Sequence, residues 1–147
     1  MSADEVLRQL RRFLLVLSVL LFCGALIELW LVGHTEDKIQ WLAFALAGLG
    51  AIAALILLIF PGRASVRVLR ICMALIVLGS LFGIYEHVTG NIAFEREIQP
   101  GLPTGRAVWK GLQGANPLLA PGILAIAALL ALSATYRHEI TASNEQT

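Results

Sequence analysis

The chain has 147 residues, of which 58% are hydrophobic and 14% charged, with three histidines, two cysteines and a formal net charge of +1. A soluble domain carries about 25% charged residues; a mean hydropathy of +0.79, with the apolar residues gathered in long blocks, excludes an ordinary water-soluble fold. The net charge argues neither for nor against nucleic acid, but no basic patch is interleaved with aromatics, which excludes nucleic-acid binding.

The first block runs from Phe13 to Val32, interrupted among strongly polar residues only by Ser18 and Glu28. Arg8, Arg11 and Arg12 before it imitate the start of a signal peptide. The apolar part is too long for one and no small-x-small cleavage site ends it, so a span over about 10–33 is expected. Bulky Phe22 before Cys23 does not suit a lipoprotein signal. Cys23 and Cys72 both fall in apolar segments at different depths, which favours small buried side chains over a disulfide.

The stretch LWLVGHTEDKIQW, 29–41, then brings a polar break before the second block, Trp41 to Phe60. That block holds eleven Leu, Ile and Phe residues, which favour membrane insertion by roughly 3 to 7 kcal/mol. A span over 38–60 follows. The third block, Val66 to Val88, carries Arg67 and Arg70 at its start and predicts a span over 66–89 ending near Gly90. Residues 90–115 read as an outer loop. Within it, Asn91 to Ile98 and Thr104 to Leu112 suggest two short helices lying on the membrane surface over the bundle's outer mouth, separated by a turn at Pro100, Gly101 and Pro103. The fourth span is expected over 116–137, with Pro117 in its first turn and Pro121 as a kink or the true start. Residues 138–147 read as a polar, frayed tail.

Four runs of about 20 residues each match the roughly 30 Å hydrocarbon core. The expected fold is therefore an all-α membrane protein: a single domain of four transmembrane helices in an up-down bundle, with a short-helix cap outside. Arg8, Arg11, Arg12, Arg63, Arg67, Arg70 and Arg137 fall on one side, and Lys38, Arg96, Arg106 and Lys110 on the other. This asymmetry places both termini in the cytoplasm. Trp30, Trp41 and Tyr85 then form an outer aromatic belt, with Tyr136 as an inner anchor. Ala43, Ala47 and Ala51, with Gly79 and Gly83, mark faces on which helices can approach closely, within the chain or in a homo-oligomer or larger membrane complex. Arg70 suits snorkelling to the inner headgroups, and His138 falls on that same inner side.

The outer end collects Glu28, His34, Glu36, Asp37, Glu86, His87, Glu95 and Glu97. Polar residues at span ends are expected simply because water is there. Imidazole and carboxylate are also ordinary ligands for divalent metals, and His34 with His87, joined by Glu36, Asp37 or Glu86, is the candidate set. The same two histidines could instead be axial ligands to a haem. Glu28, about one turn below the outer boundary, is the intramembrane acid. It could pair with His34, His87, Lys38, Arg106 or Lys110, snorkel to the headgroups, or serve an ion or proton path. No HxxxH, CxxC or HExxH spacing occurs. No serine, cysteine or histidine set sits at one depth, so no catalytic residues are assigned. The chain reads as a non-enzymatic binding or accessory membrane protein, with a purely structural subunit as an alternative.

The strings GHTEDKIQW, YEHVTGNIAFEREIQPGL and GANPLLAPG resemble a type of small bacterial four-span membrane protein of unknown function. The resemblance covers most of the chain. It implies a location in the bacterial cytoplasmic membrane and no particular activity.

Overall fold

The structure, a computed structural model, describes residues 2–136. The described residues form five α-helices and no strands: α1 (Ala3–Leu31), α2 (Gln40–Ile59), α3 (Arg63–Ile98), α4 (Thr104–Leu112) and α5 (Leu119–Ala134). Three of them, α1, α2 and α3, are long and apolar enough to cross a membrane; α5 is a shorter apolar helix. The tail at 138–147, with His138, and Arg137 at the end of the fourth block lie outside the described residues.

Helix α1 starts well before the expected boundary near residue 10. The segment Ser-Ala-Asp-Glu explains why: Ser2 Oγ accepts from the Glu5 amide, and Glu5 Oε2 accepts from the Ser2 amide. Two otherwise orphaned amides are satisfied by one such box, and Asp4 and Glu5 sit favourably at the positive helix end.

Helix α3 corrects the sequence reading most. Its 36 residues run straight through Gly90 to Ile98, so Asn91 to Ile98 is not a separate surface helix and the connection begins at Gln99. A glycine inside a helix costs about 1 kcal/mol relative to alanine. Here Asn91 is buried at once on α4, and tertiary packing overrides the local stop signal. Pro121 is also resolved: it occupies the first turn of α5, where its missing N–H would have had no intrahelical partner.

Four helices pack in a closed ring, α1 against α2, α2 against α3, α3 against α5 and α5 against α1, with α2 and α5 also touching across the diagonal. Small side chains fill much of the ring's interior beside Phe22, Leu69, Met73 and Ile76, and large apolar ones cover much of its outside. Ala47, Ala54, Ala127, Ala128 and Ala131 are fully buried, whereas Phe13, Leu20, Ile27, Leu78 and Leu81 face outward. Such a belt of large apolar side chains is unfavourable in water and suits lipid, where helices associate by close contact of small residues. Phe22, the largest of the fully buried side chains, packs against Gly50; a Cβ on Gly50 would fall 2.5 Å from its ring. Gly79 meets Leu46 and Gly83 meets Pro121, so the expected small-residue faces on α2 and α3 are helix contacts within the chain.

Helix α4 packs on α3 alone among the five helices. It is thus a brace on the end of α3 and not a lid over the ring, as the outer-cap expectation had it. Only its small residues meet α3: Ala107 and Gly111 are buried, while the large apolar side chains Val108, Trp109 and Leu112 remain exposed.

Candidate functional site

The turn after α1 is built by its own backbone and by one side chain. Gly33 takes a positive φ of 66°, a conformation that glycine adopts without steric cost. The reversal leaves the His34 amide donating to Leu29 O. Gln40, the first residue of α2, turns back so that its Oε1 accepts from the amides of Glu36 and Asp37. The polar break in the sequence is therefore a stapled turn, with Glu36, Asp37 and Lys38 exposed and His34 half-buried.

His87 reaches the same end from α3. Its Nδ1 lies 2.9 Å from Pro117 O. A carbonyl only accepts, so Nδ1 carries a proton; in the neutral imidazole this leaves the lone pair on Nε2. His34 follows α1 and His87 belongs to α3, two helices that do not pack against each other in the ring. The pKa of His34 is held below its ordinary value, first by burial and second by the charge of His87.

The acids behave differently. Glu86 is half-buried beside His87, but Glu28 is exposed on the outside of α1. Lys110, one of the partners expected for Glu28, pairs instead with Glu95 at 3.0 Å and also donates to Gln99. Among the described residues no three histidine, cysteine, aspartate or glutamate side chains gather closely enough to hold one metal ion. Any ion between His34 and His87 would therefore have to complete its coordination with water or after a shift of Glu36, Asp37 or Glu86.

Sequence reasoning missed two polar side chains. Asn91 is 3% exposed. Its Nδ2 donates to Gly111 O at 2.9 Å and Asn116 O at 3.1 Å, and its Oδ1 accepts from the Asn116 amide at 3.0 Å. One amide thus ties α3, the end of α4 and the lead into α5. A signal existed: Leu69, Met73, Ile76, Ser80, His87 and Asn91 keep helical spacing across Gly90.

Thr135 is the second, buried at the other end of the ring. Arg70 Nε donates to its Oγ1 and Arg70 Nη2 to its carbonyl, while Arg11 Nη2 donates to Tyr136 O. Arg70 is therefore anchored on the C-terminal end of α5 rather than simply extended to headgroups. Two guanidiniums there complement carbonyls that the helix leaves without partners.

Comparison of the chain with protein-family models, with curated proteins and with solved structures found no match.

Proposed function

We propose that this chain is a non-enzymatic accessory protein of a bacterial cytoplasmic membrane. It crosses the bilayer four times as an up-down bundle with both termini inside, and it presents a rigid helical arm to a partner outside. The observation that carries this reading is the length of α3. Thirty-six residues make about 54 Å of helix, against a hydrocarbon core of roughly 30 Å. Residues 88–98 alone add about 16 Å beyond the level of His87.

Three features support a working role for the arm. Asn91 and the Lys110–Glu95 pair fix α4 to it. Phe94, Ile98 and Trp109 remain exposed on it. The ring itself offers little polar chemistry: the buried polar side chains among the described residues are Ser18, Ser80, Asn91 and Thr135. That interior favours a structural or docking role over an ion path through Glu28. A photo-crosslinker at Trp109 or Ile98 in native membranes should give one discrete heavier adduct, lost when Phe94 is changed to Glu. No adduct, or the same adduct from lipid-facing Leu78, refutes the docking role.

A second reading is a divalent cation bound by Nε2 of His87 and an imidazole nitrogen of His34. It is favoured by the Nδ1–H···O=C bond to Pro117, the outer contact that commonly orients a metal-bound imidazole. Zinc titration of the purified protein, with His34→Ala and His87→Ala, separates the two readings. The same two histidines as haem ligands would produce a Soret band.

A further inference from the structure

The inner end of the ring holds two clefts that share one arginine. The smaller, of about 410 Å³, is lined by Arg63, Val66, Arg67, Arg70 and Ile71. The larger, of about 750 Å³, has apolar walls from Leu7, Leu10, Leu14 and Leu132, with Arg11, Arg70 and Ser133 among its polar lining. Arg63, Arg67 and Arg70 follow one another at helical spacing, so they form a stripe along one face of α3. Arg70 closes that stripe and opens the apolar cleft.

We propose that this double cleft binds an anionic phospholipid, with its phosphodiester on Arg67 and Arg70 and the start of an acyl chain along Leu7, Leu10 and Leu14. Thr135 takes the Nε and Nη2 edge of Arg70, and among the described residues its Nη1 has no partner. The remaining donors face a ligand as a preoriented group, because the bonds to Thr135 fix the plane of the guanidinium. A planar guanidinium matches a phosphodiester through paired N–H···O bonds. Among the described residues no carboxylate pairs with Arg67 or Arg70, so their charge is available to an anion. The apolar wall selects an amphiphile over a soluble phosphate. Basic pockets between helices at the inner membrane face are suited to anionic headgroups. Bound there, the lipid would join α1, α3 and α5 at the end opposite the arm. The proposal rests on the proposed membrane placement, with this end at the inner face, and is independent of what the arm or the histidines bind.

The test uses the full chain, purified and delipidated in a neutral detergent. Native mass spectrometry then counts adducts with phosphatidylglycerol and with phosphatidylcholine of the same chain length. Phosphatidylglycerol should bind preferentially, and Arg67→Gln should weaken it by about fivefold, the scale of one arginine near an anionic surface. Arg8→Gln, on α1 outside the clefts, should leave binding unchanged. Arg70→Gln should remove the preference. Because it also releases the end of α5, Arg67→Gln, which makes no bond to that helix, is the deciding variant. Equal binding of the two lipids, equal loss with Arg8→Gln, or competition by millimolar glycerol phosphate would overturn the proposal. A chain that stays dispersed without detergent would instead overturn the membrane reading itself.

Discussion

Replacing Asn91 with Leu should detach the arm's brace without unfolding the ring. The side chain is nearly isosteric but has no donor or acceptor. Three hydrogen bonds disappear, at 2.9, 3.1 and 3.0 Å, each worth about 1 kcal/mol net. The carbonyls of Gly111 and Asn116 and the Asn116 amide must then find water, which offsets part of their loss because this end lies beyond the apolar belt. A local destabilisation of about 2 to 3 kcal/mol follows, or roughly a 30- to 150-fold rise in the open population. Hydrogen exchange by mass spectrometry on protein in nanodiscs reads this directly. Peptides covering α4 and residues 113–118 should exchange faster by that factor, while those from α2 and the membrane part of α3 stay protected. Unchanged protection in α4, or loss of protection throughout the ring, would refute the assignment of Asn91 as the tie between arm and bundle.

Gly50→Val should cost about 1 to 3 kcal/mol through overpacking on the Phe22 ring, seen as a lower thermal midpoint in detergent and partly relieved by Phe22→Leu. The shift at His34 gives a signed pH dependence. Its folded pKa lies below the ordinary 6.5, so the unfolded chain takes up a proton first and stability falls as pH drops from about 6.5 through the lowered folded value. His34→Gln should flatten the stability profile in that window, as thermal unfolding between pH 5 and 8 would report. In the cation reading, zinc should raise the midpoint of the parent above pH 7 and leave His34→Ala and His87→Ala unmoved; equal shifts in all three would discount a two-imidazole site.

The long apolar helices were legible because an unbroken run of about 20 apolar residues matches the thickness of a bilayer and is rare in a water-soluble chain. The inward face of α3 was also visible in principle, since its helical spacing continues from Leu69 to Asn91. It was obscured by reading Gly90 as a stop, a local rule that fails when the next residue is buried and hydrogen-bonded. The form of the turn at 33–40 was not legible, because it is set by backbone bonds and by the Gln40 side chain, which composition does not encode. Arg70 marks the same limit. Its charge and depth suggested contact with headgroups, while its bonds to Thr135 depend on which helix lies next to α3.

The most direct test of the four-span account is sidedness. In a background with Cys23 and Cys72 replaced by Ala, single cysteines at Ser2 and Gln113 would be exposed to a membrane-impermeant maleimide in intact cells. The account predicts labelling at 113 from outside, and labelling at 2 only after the membrane is opened. Labelling of both from outside, or of position 2 alone, would contradict it.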